Sequence, residues 1–189
     1  MAEYYLISQL PSLDGISDNL PLPITEERFF ELCGQHLGKK ALSELSKLSL
    51  MPSKTYEKSS SALIEAWNEG ERNLRFVLAK IRGEKMKKST DTDNKSFPTP
   101  LIQAARTAVE SESPMEAEKF LNNYRLEFLE TLRPMDSFSE DSVFYYWLKL
   151  KLLSRIRQFD KESGEKAYKN IYNSILNGDR LEDKQCPKI

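Results

Sequence analysis

The sequence is poor in the features that build sheets. It has no alternating β-branched runs, and no Asn-Gly or Asp-Gly turn lies between such runs, which argues against a strand-based fold. Long apolar runs are missing too: none approaches the ~20 residues that cross a bilayer as a helix. Cysteine is scarce. Cys33 and Cys186 lie far apart, with Cys186 in a polar tail, and such usage fits a reducing compartment rather than a disulfide scaffold. His36 is the single histidine. Neither glycine-rich phosphate cradle, G-x-x-x-x-G-K-[ST] or G-x-G-x-x-G, occurs, and the G-x-S-x-G nucleophile elbow is absent. An excess of one charge is lacking as well. Lys+Arg 28 against Asp+Glu 29 gives a net charge of −1, which argues against coating nucleic acid or acidic lipid by bulk attraction. The opening MAEYYLISQLP has no basic n-region and too short an apolar stretch for a secretory signal, so a cytoplasmic protein is expected.

What is present is helical periodicity. The strongest signal is Ala62–Met86, where Leu63, Trp67, Gly70, Leu74, Val77 and Ile81 recur in alternating steps of four and three. Residues so spaced stack on one side of a 3.6-residue turn, so this reads as one buried face of a long helix. Before it, Thr25 with Glu26 and Glu27 caps a helix that buries Phe29, Phe30, Leu32 and Cys33, and Gly34 weakens its end. A short helix over Lys39–Leu48 follows. The segment Tyr4–Leu10 is too short for periodicity to decide between helix and strand, and Pro11–Pro23 reads as a loop.

The second half is better punctuated. Thr99-Pro100 supplies a cap and an N1 proline. Ser113-Pro114-Met115-Glu116 is a capping box opening a helix that buries Ala117, Leu121, Tyr124, Phe128 and Leu132. Ser139 caps a third helix, Glu140–Phe159, apolar on nearly all sides at first and basic later, as befits a central element. The last helix, Glu165–Leu176, presents Tyr168, Ile171, Tyr172 and Ile175 and ends at Asn177-Gly178. The expected fold is all-α: a bundle of about six to eight helices with no significant sheet. Residues 1–86 and 98–178 form its two halves, 87–97 is a polar linker and 179–189 a polar tail. Shifting the chain by 80 residues lays Leu63 on Val143, Trp67 on Trp147 and Arg75 on Arg155, a register that chance or duplication would explain.

Chemistry has few candidates. Cys33 and His36 form C-x-x-H, but a structural zinc site takes four ligands and the supply of further Cys and His is one residue, so no metal site is assigned. The same two residues are the nearest approach to an enzyme nucleophile and base, and no orienting frame accompanies them. Carboxylate pairs such as Glu26–Glu27 and Glu140–Asp141 sit in first helical turns, where the helix dipole accounts for them. No catalytic or cofactor-binding residue is assigned, and no cofactor is expected. The run Lys80–Lys88 reads either as a patch for phosphate or an acidic partner, or as cations that offset a helix C-terminus. Phe144-Tyr145-Tyr146-Trp147 is mostly core at helical spacing, with a docking or base-stacking surface as the other reading.

Four stretches carry a resemblance: YYLISQLPSL, TEERFFELC, the W-x5-N-L-R-x2-L-x-K-x-R-G of Trp67–Gly83, and YYWLKLKLLSRIRQFDKESGEKAY. Together they resemble an uncharacterised bacterial family encoded among the subunits of V/A-type ATPases. Asn73-Leu74-Arg75, with Lys80 and Arg82 behind it, is also similar to a recurrent helix of the C-type subunit of V-type ATPases (the d-type in eukaryotes), an all-helical funnel between rotor ring and central stalk. This chain is much shorter and shows at most two related segments where the funnel has three. The resemblance implies a non-catalytic subunit or assembly factor linking rotor ring and central stalk, peripheral on the inner face of the cytoplasmic membrane through its partner. Asn73, Arg75, Lys80 and Arg82 are then the expected partner-binding set, and Trp67, Trp147, Leu74 and Tyr168 the structural anchors. The alternative expectation is a nucleic-acid or regulatory-protein module using the Lys80–Lys88 patch.

Overall fold

The computed structural model describes residues 2–16, 20–52, 58–87, 96–158 and 161–182. These contain eight helices and no strand: α1 Ala2–Gln9, α2 Glu26–His36, α3 Lys39–Lys47, α4 Ala62–Lys85, α5 Thr99–Glu110, α6 Pro114–Thr131, α7 Glu140–Gln158 and α8 Lys161–Glu182. The chain divides into two units, Met1–Ile156 and Arg157–Ile189. Residues 88–95, most of the expected linker, and 183–189, with Cys186, lie outside the described residues.

Local chemistry explains where the helices begin. Thr25 Oγ1 accepts from the Arg28 amide at 3.2 Å, Ser61 Oγ from Ile64 at 3.2 Å and Ser113 Oγ from Glu116 at 3.4 Å. Each satisfies one amide that the first turn orphans. α5 departs from expectation. Its cap is Pro98, whose carbonyl accepts from Leu101 and Ile102 at 3.1 and 3.2 Å, and Thr99 already lies in the helix. Proline is tolerated here because first-turn amides have no intrahelical partner. The N-terminal segment resolves as a helix, with Leu6 buried beneath it. α8 runs on past Asn177-Gly178 to Glu182, since one glycine costs a helix only about 1 kcal/mol.

Two apolar clusters fill the first unit. The larger gathers Leu6 of α1, Phe29 and Cys33 of α2, Leu45 of α3, the start of α4 through Trp67, Leu129 of α6 and most of α7. Phe29 stacks on Trp147 with ring centroids 5.2 Å apart, and the Trp147 indole N–H donates to the Leu48 carbonyl at 3.3 Å. The smaller cluster joins Leu74, Val77 and Leu78 of α4 to Leu101, Ala105 and Ala108 of α5 and Leu121 of α6. Small side chains on α5 let it approach both neighbours closely. Each cluster therefore takes residues from before and after 87–97. α4 belongs to both clusters, and the boundary at Ile156 falls within α7.

Direction follows from the side-chain pairs. α6 meets α4 through Arg125–Glu71 and Phe128–Gly70, and meets α7 through Glu130–Lys149 and Glu118–Arg155. Numbers fall along α4 and α7 as they rise along α6, so α6 runs antiparallel to both. At their starts α4 and α7 are tied directly, Ser61 Oγ donating to Asp141 Oδ1 at 2.6 Å.

Candidate functional site

Charged side chains on α4, α6 and α7 form a continuous belt. Glu71, one turn after Trp67, is buried, and its Oε1 accepts from Arg125 Nε at 2.6 Å. Its Oε2 lies 3.4 Å from Arg75 Nε one turn further along α4. Arg125 Nη1 also donates to Oδ1 of the fully buried Asn122 at 3.1 Å and stands 3.6 Å from Glu118. Glu118 in turn accepts from Arg155 Nη2 at 2.5 Å. The belt ties three helices through alternating charges, each with an opposite partner, as buried charge requires.

A second knot holds the N-terminal loop. Lys149 Nζ on α7 donates to Asp14 Oδ1 and Glu130 Oε1, both at 2.5 Å, and lies 3.4 Å from the Tyr145 hydroxyl. Tyr146 OH donates to the Pro11 carbonyl at 2.9 Å. The hydrogen bond from Lys149 holds the Asp14 carboxyl below its usual range. Burial would raise Glu130, but its bonds to Lys149 and Tyr145 bring it down. For Lys149 itself burial works against the ammonium, and the bonds it donates to Asp14 and Glu130 outweigh it, leaving the pKa raised. Burial, with the Glu130 bond, pushes the Tyr145 phenol up to about 12.

The expected partner set does not share one surface. Asn73 and Lys80 are seven residues apart on one side of α4, and Arg75 and Arg82, also seven apart, lie on the opposite side. Asn73 lines a 400 Å³ cavity with Gly70, Leu74, Pro98, Leu101 and Phe128. Arg75 is turned to Glu71 and is a member of the belt. Arg82 is exposed and Lys80 half-exposed, and neither makes an ion pair among the described residues. Lys85 donates to the Val109 carbonyl at 3.0 Å, a cation on the carbonyl end of α5. Arg82 and Lys85 edge an open groove floored by Ala108, Ala117 and Leu121. Lys88 lies outside the described residues.

Trp67, Trp147 and Leu74 are buried. Tyr168 is a correction: it is 68% exposed, and its ring stacks on Tyr172 within the second unit. Periodicity shows that α8 has an apolar face but says nothing of what covers it. Cys33 is a buried core residue whose thiol is pushed up to about 12 by burial. His36 follows one turn later at the end of α2, its Nε2 3.4 Å from Gln9 Nε2. Among the described residues no group of three or more His, Cys, Asp or Glu is placed to hold a metal. Among them too, no helix is long and apolar enough to cross a membrane.

Sequence reasoning missed Glu71, Asn122 and Arg125. The one local signal was Glu71–Arg75 at i,i+4, a spacing common on exposed helix faces. Nothing in the chain near Arg125 points 54 residues back to Glu71.

The first unit is thus an all-helical assembly cross-tied by internal charge. Residues 99–179 match the model of a family described as a protein of unknown function (DUF2764). The match takes in α5, α6, α7 and most of α8 and leaves α1–α4 outside it. No curated protein and no solved structure matches the chain.

Proposed function

We propose that this chain is a non-catalytic helical subunit or assembly factor of a bacterial V/A-type ATPase, joining rotor ring and central stalk. It would sit on the inner face of the cytoplasmic membrane through its partner rather than through an inserted segment. The observation that carries the mechanical part is α4. This helix of 24 residues passes through both apolar clusters and is cross-tied to α6. Its last turn carries Arg82, which no acid neutralises among the described residues. At 1.5 Å per residue it is a strut of about 36 Å. Packed helices with paired charges between them resist shear, and a free cation at the end can choose a partner by charge. The resemblance of Asn73-Leu74-Arg75 and its flanks to a helix of the funnel between rotor and stalk supports the choice of complex.

The test is affinity capture of the tagged chain from gently solubilised membranes of cells that express the ATPase. Rotor or stalk components should co-purify, and Arg82→Glu should cut their recovery about tenfold or more, a loss of ~1.4 kcal/mol or above. Thermal unfolding of the variant should be nearly unchanged, because surface substitutions away from special contacts move stability by only about 0.5 kcal/mol. Recovery of the chain alone overturns the proposal. Recovery with RNA, released by moderate salt, would assign the basic end to nucleic acid instead.

A further inference from the structure

Within the second unit, α8 carries a stripe of exposed apolar side chains. Tyr168, Ile171, Tyr172, Ile175 and Leu176 follow the three-and-four spacing of one helix side and are 68, 60, 52, 59 and 46% exposed. The Tyr168 and Tyr172 rings stack along the helix with centroids 6.1 Å apart. An isolated helix owes most of its stability to burial of such a face, so an uncovered one is incomplete by itself.

We propose that the stripe is a self-association surface on which α8 of one chain pairs with α8 of a second copy. Three observations select that occupant. The first is charge. α8 has four basic and four acidic residues, so it has neither the cationic polar face that holds an amphipathic helix on anionic lipid nor the excess charge that binds nucleic acid. A neutral helix meets no net repulsion from its own copy. The second is area. With about half of each side chain open, two tyrosines at ~150–250 Å² each and three somewhat smaller aliphatic side chains offer on the order of 500 Å² per chain. Two copies then cover about 1,000 Å², the lower limit for a specific interface. The third is composition. Tyrosine suits such a seam, since its ring is buried while its hydroxyl stays wet at the rim. A two-fold pairing places the same stripe on both sides and closes on itself, giving a dimer rather than a filament.

Sedimentation velocity and light scattering on the full chain, from roughly 1 to 200 µM, test this because a dimer is concentration-dependent. The mass should rise from 21.9 kDa toward twice that value. Ile171→Lys with Ile175→Lys should weaken self-association by more than about 100-fold, since two large side chains per copy lose their burial. Ile171→Ala with Ile175→Ala, which keeps helix propensity, should weaken it in the same direction. Asn170→Lys, on the far side of α8, should leave it unchanged. A chain that stays monomeric throughout overturns the proposal, as does a dimer indifferent to the stripe. A monomer whose stripe is needed for vesicle sedimentation or for capture of ATPase components also overturns it, and assigns the face to that partner.

Discussion

Gly70 shows how one missing side chain decides a contact. It sits on the buried face of α4, and a Cβ built there would run into the edge of the Phe128 ring, which itself stacks on Trp67. Alanine would favour the helix by about 1 kcal/mol. Forcing the ring out of its place would cost ~1–3 kcal/mol, so Gly70→Ala should lower stability by about 1 kcal/mol net. The urea midpoint measures this, and adding Phe128→Leu should recover most of the loss. A rise in midpoint for the single variant would show that the ring yields freely. The alternating steps of four and three already placed position 70 on the inner face. Phe128, 58 positions later, could not be read from them, because periodicity assigns a face and not the residue opposite.

At the scale of the helix, the belt is what sets α4 against α6. Glu71→Ala would remove one carboxylate and leave Arg125, which is nearly buried, facing only the more distant Glu118. Breaking a buried pair from one side typically costs ~3–5 kcal/mol, whereas replacing both partners with apolar residues is close to neutral. Glu71→Leu combined with Arg125→Met should therefore be much more stable than either single variant, with a strong coupling in the double-mutant cycle of unfolding free energies. Additive effects would mean that the charges stand apart in solution. The starts of α2, α4 and α6 were legible because Thr25, Ser61 and Ser113 act within three residues of themselves. α5 was misplaced by one residue since Pro98 and Pro100 can both occupy a first turn. Glu71 looked like any surface acid in the sequence, and Arg125 like any surface cation.

At the scale of the molecule, the Lys149 knot ties the N-terminal loop, α6 and α7 together, and it has a pH signature. Asp14 and Glu130 are held below their ordinary values in the folded chain. Groups depressed in this way stabilise the fold above the unfolded carboxylate range, about 3.9–4.3, and lose that contribution as pH falls through their folded values. Lys149 is raised, so its contribution is complete below the unfolded lysine value of about 10.4 and fades only at more alkaline pH. Lys149→Met should lower the urea midpoint at neutral pH and flatten its fall between about pH 4 and pH 2. Both carboxylates are about half-exposed, so solvent screening keeps the effect modest. A variant with the slope of the parent would show that the knot contributes nothing to acid sensitivity.

The helices themselves were written into the order of the residues. Caps, prolines and a 3.6-residue period act over a few neighbouring positions, and so do the hydrogen bonds that they serve. The same patterns marked Trp67, Leu74 and Trp147 as apolar residues on recurring faces. Three-dimensional packing was needed to decide that both halves share their two cores, and that Arg75 turns to an internal acid while Arg82 does not. Those outcomes depend on which helix lies opposite which. That choice is made by burial and charge pairing between residues tens of positions apart, where local spacing carries no information.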